Sequence, residues 1–170
     1  MIELDSKLNF EFLGNTNANS SIEKEFFLLF HALMNNFCLV IIDDDPLSIL
    51  ISKRLLIKHL PSQLKYELVT FTDAFEGLRF ISDSKSNEKL HREELILFLD
   101  INMPLLTGWE LIQKLEKESP HHRAKIYMYS SSLDLNDRER FNQFENVYGF
   151  IDKPLSKEKI EEIFSGNEEG

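Results

Sequence analysis

Five apolar runs of strand length recur along this chain, and segments with helical apolar spacing separate them. The runs cover residues 37–42, 66–71, 95–99, 126–129 and 147–151. The first is continuous rather than alternating, the pattern of a strand buried on both faces. Between the runs, 46–60 carries Leu47, Leu50, Ile51, Leu55 and Leu56 at helical spacing and stops before Pro61. Residues 74–81 place Phe75, Leu78 and Ile81 on one stripe, and 108–118 carry Trp109, Leu111, Ile112 and Leu115. Further helices are predicted over 133–144 and over 156–164, the latter capped by Ser156 with Ile160 and Ile163 inward. Residues 82–94 are charged and polar and read as a surface loop. Strands alternating with helices imply an α/β fold, a doubly wound five-stranded parallel sheet covered on both faces.

The rest of the chain is less regular. Residues 14–21 are polar and turn-rich, and Ser20 with Glu23 forms a capping-box pattern ahead of a possible helix over 22–33. Residues 1–35 therefore read as a partly disordered N-terminal extension. Met34 lies three residues before the first strand, so 1–33 also read as an upstream stretch added by a misplaced start. The domain proper spans 36–165, and 166–170 form a flexible tail.

Charge and composition exclude several classes. The net charge of -10, from 29 acidic and 19 basic residues, disfavours a nucleic-acid backbone or an anionic membrane as partner. No apolar stretch approaches the roughly 20 residues of a membrane span. The run 26–30 is short, and Glu23 and Glu25 precede it instead of the basic leader of a secretion signal. The single cysteine, Cys38, lies within an apolar run and suits a reducing compartment. A cytoplasmic protein without membrane insertion is expected.

Parallel strands put the residues that follow each run on one edge, where such sheets bind ligands. The first run ends in Asp43-Asp44-Asp45-Pro46, the third in Asp100, the fourth in Ser130-Ser131-Ser132, and the fifth in Asp152-Lys153-Pro154. Two carboxylates about 4 Å apart repel by roughly 4 kcal/mol at an effective dielectric of about 20. Converging carboxylates therefore need a counter-charge. A hard divalent cation supplies one, and oxygen ligands with retained waters suit Mg²⁺. A lysine adds a second positive charge and a serine hydroxyl a donor. Such a site can hold a phosphoryl group while a carboxylate attacks phosphorus, because that transfer depends mainly on positioning and charge neutralisation. Taken singly, each feature also has a plain reading as a helix cap or turn. Their common placement at strand ends favours chemistry.

The motifs Ile41-Ile42-Asp43-Asp44-Asp45-Pro46, Leu99-Asp100-Ile101-Asn102-Met103-Pro104 with Gly108, Met128-Tyr129-Ser130-Ser131 and Gly149-Phe150-Ile151-Asp152-Lys153-Pro154 resemble those of response regulator receiver domains. The resemblance covers about residues 36–165. It implies a flavodoxin-like strand order of 2-1-3-4-5. It implies Asp100 as phosphoacceptor, and Asp43, Asp44, Asp100 and the backbone carbonyl of Asn102 as Mg²⁺ ligands. Lys153 and Ser130 become the groups that contact the phosphoryl oxygens, and Ser130 with Phe150 the switch pair. Asp45 extends the acidic pair by one. The implied function is a stand-alone response regulator of a two-component phosphorelay, not an enzyme beyond assisting its own phosphorylation and dephosphorylation. Its implied partners are a histidine kinase or phosphotransfer protein and a downstream protein target. Two other readings are weaker. A Mg²⁺-dependent phosphatase with an Asp nucleophile would need an acid/base group where Asn102 stands. A receiver-like module that is never phosphorylated would have no use for the complete set of site residues.

Overall fold

The computed structural model describes residues 36–83, 93–119, 124–131, 137, 140, 141 and 143–164. The extension expected over 1–35, its helix over 22–33 and the tail 166–170 lie outside the described residues. Within them the chain runs β1 (Asn36–Ile42), α1 (Pro46–His59), β2 (Lys65–Phe71), α2 (Ala74–Ser82), β3 (Glu93–Asp100), α3 (Gly108–Glu118), β4 (Lys125–Ser130), β5 (Val147–Asp152) and α4 (Lys157–Phe164). Of the helix expected over 133–144, Asp137, Arg140 and Phe141 are described and helical, whereas Gln143 and Phe144, also described, lie beyond its end. The five strands form one sheet in the order β2-β1-β3-β4-β5. Every pairing is parallel.

Strand period sorts the core into two layers. On β1, Cys38, Val40 and Ile42 join α2 and α3 on one face, whereas Phe37, Leu39 and Ile41 join α1 and α4 on the other. β3 alternates the same way, with Leu95, Leu97 and Leu99 opposite Ile96 and Phe98. Both faces are covered, so the central strands are apolar at successive positions rather than at every second one.

Local signals set the helix starts. The Asp45 carboxylate accepts the Leu47 N–H at 2.9 Å, with Pro46 in the first turn of α1. Asp73 accepts the N–H groups of Phe75 and Glu76 at the start of α2. Thr107 and Glu110 close a reciprocal capping box on α3. Ser156 caps α4 through the Lys159 N–H at 3.1 Å.

Two details depart from the sequence expectation. β3 begins at Glu93, inside the stretch read as loop. Glu93 and Glu94 stay in register with Asn36 and Phe37 of β1, and the Glu94 carboxylate meets Lys125 Nζ on β4 at 2.9 Å. On α1, Ile49, Ser52 and Leu56 are the buried residues, while Leu47, Leu50, Ile51 and Ile57 are exposed. The apolar spacing marked a helix correctly, but four of its seven apolar residues point outward.

Leu97 lies on the central strand with no exposed surface. Leu97→Ala should lower the unfolding free energy by about 2–5 kcal/mol through lost burial and a cavity. Gln113→Ala, exposed on α3, should change it by less than about 0.5 kcal/mol. Urea denaturation of the two variants checks the contrast.

Candidate functional site

The carboxyl ends of β1, β3, β4 and β5 share one edge, and the candidate residues gather there. Asp43 follows β1 directly and has no exposed surface. Its N–H donates to the Phe71 carbonyl of β2 at 3.1 Å, which locks the chain at the strand exit. One carboxylate oxygen, Oδ1, accepts the Asp45 N–H at 3.0 Å. The other, Oδ2, accepts the Ser48 hydroxyl from the first turn of α1. Asp100 ends β3 and is buried as well. Its Oδ1 accepts the Asn102 N–H at 3.3 Å.

Lys153 joins the two acids. Its ammonium lies 2.7 Å from Asp43 Oδ2 and 3.0 Å from Asp100 Oδ2. A buried carboxylate without a partner is costly, and one ammonium between two of them meets part of that cost. Burial raises the Asp100 carboxyl above its ordinary range, although Lys153 works to lower it. For Lys153, burial opposes the charge, but the hydrogen bonds to Asp43 and Asp100 outweigh it and raise the ammonium's pKa. Asp44 is exposed, and one oxygen each from Asp43, Asp44 and Asp100 lie within 4.8 Å of one another.

Three carboxylates facing one ammonium leave an excess of two negative charges. The donors are hard oxygens on adjacent loops, and Asp44 faces solvent. This set fits a small divalent cation that keeps several waters. An acidic cluster able to hold a metal ion is therefore present.

The other expected residues fall around this centre. Ser130 is the buried last residue of β4, one position beyond Tyr129, which pairs with Asp100. Its carbonyl accepts the Lys153 N–H at 3.0 Å, so the ends of β4 and the lysine loop are fixed together. Asn102 is exposed beside Asp100. Phe150 is half-buried on the opposite side of β5 from Ile151, with Trp109 6.2 Å and Phe141 5.4 Å away between ring centroids. The Lys153–Pro154 peptide bond is cis.

Gly108 has a packing role. Its N–H donates to the Ile101 carbonyl at 2.9 Å. A Cβ there would collide with the Asp100 carbonyl oxygen and lie 3.1 Å from Met128 Cε. Only glycine lets α3 start this close to the acidic strand end.

Three residues escaped the sequence reading of the site. Ser48 supplies a donor to Asp43, and its only signal was a hydroxyl in the first turn after the acidic run. Tyr129 and Ser52 form a buried pair, 2.7 Å between hydroxyl oxygens. Ser52 Oγ donates to the Ser48 carbonyl at 2.8 Å. The Tyr129 hydroxyl therefore donates to Ser52, and it accepts the Leu155 N–H at 3.3 Å. Burial raises the Tyr129 hydroxyl's pKa, which keeps it a neutral donor. Lys153 Nζ lies 5.2 Å from the Tyr129 ring centroid. A polar tyrosine in an apolar strand and a serine on a helix's buried face were the available signs, since buried hydroxyls need partners.

Residues 39–165 match the family model of the response regulator receiver domain. The chain belongs to that family. Receiver domains serve two-component signalling, and the strand order found here is theirs. A curated relative, the protein PilG of Pseudomonas aeruginosa, is 28% identical over 94 residues, which are 55% of this chain and 63% of PilG. The matched stretch thus spans less than two thirds of that relative. Among solved structures, a two-component response regulator from Cytophaga hutchinsonii superposes with a TM-score of 0.63 at 22% identity, covering 76% of this chain and 95% of that one. A CheY-like receiver domain protein from Methanospirillum hungatei JF-1 gives 0.55 at 24% identity, covering 76% and 94%. At these identities the structures speak for the fold. Among the described residues no helix is long and apolar enough to cross a membrane.

Lys153→Met removes the shared cation and should cost about 3–5 kcal/mol at neutral pH in EDTA. The cost should depend on pH. Asp100 already has a raised pKa in the folded state, and losing Lys153 raises it further. A group raised on folding contributes stability below its unfolded pKa and loses it as pH rises through the folded value. The gap between wild type and variant should therefore widen as pH rises from below 3.8 towards neutrality. Urea midpoints measured across that range test both sign and size.

Proposed function

We propose that this receiver domain takes a phosphoryl group onto Asp100 from a histidine kinase or phosphotransfer protein, with Mg²⁺ bound. The observation that carries the reading is the Lys153 ammonium held between Asp43 and Asp100, with Asp44 close enough to complete an acidic cluster. Asp43, Asp44, Asp100 and the backbone carbonyl of Asn102 would hold the ion. When bound, the ion neutralises charge on the phosphoryl oxygens.

The chain's own residues do the rest. A carboxylate oxygen of Asp100 forms the bond to phosphorus as the donor's bond to it breaks, which gives an acyl phosphate. Only the ionised carboxylate attacks. Lys153 balances the added negative charge, and its two present partners hold it at the right place in advance. The Ser130 hydroxyl, at the end of the neighbouring strand, donates to a phosphoryl oxygen. Its movement is felt by Phe150 through the chain shared by β4 and β5, and the aromatic packing around Trp109 shifts between two populations. The chain acts as a cytoplasmic switch, read by a downstream protein target. It turns over no external substrate.

Incubation with acetyl phosphate and Mg²⁺ should add one phosphoryl group to the peptide containing Asp100, read by mass spectrometry. Asp100→Asn or EDTA should abolish the gain. Labelling that persists in Asp100→Asn would place the acceptor elsewhere and end this reading. Mg²⁺ at about 100 times its dissociation constant should stabilise the fold by roughly 2.7 kcal/mol. Thermal unfolding should show that gain in the wild type and lose most of it in Asp43→Asn.

A further inference from the structure

Tyr129 is buried on β4, and its hydroxyl lies on a hydrogen-bonded circuit that begins and ends at the loop of Lys153. The hydroxyl accepts the Leu155 N–H at 3.3 Å and donates to Ser52 on α1 at 2.7 Å. Ser52 donates onward to the Ser48 carbonyl at 2.8 Å. The Ser48 hydroxyl donates to Asp43 Oδ2, and that oxygen meets Lys153 Nζ at 2.7 Å. Leu155 follows Lys153 by two positions, so the path returns to the loop it left.

Two backbone anchors hold that loop. The Lys153 N–H donates to the Ser130 carbonyl at 3.0 Å, and the Leu155 N–H to the Tyr129 hydroxyl. Both acceptors belong to the last two residues of β4. The Tyr129 ring centroid also lies 5.2 Å from Lys153 Nζ, close enough for the ring to attract the cation. A lysine side chain is long and flexible, and ordering it costs conformational freedom. Here the loop fixes its base and two acids hold its tip before any phosphoryl donor arrives.

Loss of the Tyr129 hydroxyl would fall on one partner. Ser52 keeps the Ser48 carbonyl as its acceptor. Leu155 is buried, and its N–H would lose an acceptor that the loop can replace only by moving. The bonds to Asp43 from Ser48 and from the Asp45 N–H stay in place.

We infer that Tyr129 is a positioning residue for phosphoryl transfer: its hydroxyl pins the 153–155 segment and so aims Lys153 at the oxygens of the incoming group. The inference rests on the phosphoacceptor reading of Asp100. Tyr129 touches no reacting atom and acts through the ammonium of Lys153. It therefore governs the rate of transfer and not the affinity for Mg²⁺.

Tyr129→Phe in the full chain tests this, because only the hydroxyl is lost. Without Mg²⁺ or donor, hydrogen exchange read by NMR should speed up about tenfold or more at the Leu155 amide and stay unchanged in β1 and β3. With saturating Mg²⁺ and a fixed concentration of acetyl phosphate, Asp100 should be labelled about tenfold more slowly, while the Mg²⁺ dissociation constant stays within about twofold of wild type. Lys153→Ala should already contain that loss, so adding Tyr129→Phe to it should slow labelling no further. Labelling of Tyr129→Phe at the wild-type rate overturns the inference. So does a further loss in the double variant, or a slower rate that comes with weaker Mg²⁺ binding, since either assigns the hydroxyl a general structural role. A wild type that takes no phosphate at Asp100 is a separate result: it ends the phosphoacceptor reading, and this inference with it.

Discussion

One ammonium between two buried carboxylates sets the terms for the rest of this molecule. Lys153 sits after β5, Asp43 after β1 and Asp100 at the end of β3, so their meeting requires three strands to finish at one level. Parallel pairing in the order β2-β1-β3-β4-β5 supplies that level. The sheet's two apolar faces exist to bury it, and the acids are the polar remainder left at the rim. Their desolvation would be unfavourable without the lysine, and the excess negative charge they retain is what makes the rim receptive to a cation.

Around that contact the structure spends several polar groups on holding things still. Ser48 and the Asp45 N–H fix both oxygens of Asp43. Tyr129 links β4 to α1 through Ser52 and to the chain after Pro154 through the Leu155 N–H. The lysine loop is thus tied to two elements by groups that never touch a reacting atom. Preorganisation of this kind would serve the phosphoryl transfer proposed above, which relies on position more than on covalent help from the protein.

Much of this was readable beforehand. Continuous apolar runs fixed the strands, and the acids, serine and lysine following them fell on one edge as parallel topology demands. Helix starts at Asp45, Asp73 and Thr107 came from short-range hydrogen bonding, which sequence records faithfully. The failures were of another kind. Glu93 and Glu94 looked like loop because charge suggests solvent, yet strand register and Lys125 hold them in β3. On α1, apolar residues occur all round the helix, so spacing alone could not tell which half meets the sheet. Ser52 lies on the buried half because Tyr129, 77 positions further on, gives its hydroxyl a partner. Pairings at that range leave no periodic trace.

Trp109 is the sole tryptophan of the chain. It opens α3 next to Gly108, stacks on Phe144 at 5.7 Å, meets Phe150 edge-on, and donates its indole N–H to the buried Asp137 at 2.7 Å. A single fluorophore with a carboxyl acceptor on its nitrogen and an aromatic neighbour on the β5 side is a native optical gauge. A change in the packing of Phe150 or in the bond to Asp137 would alter the surroundings of that fluorophore. The chain's only indole thus makes the state of that aromatic corner visible in solution without any attached dye.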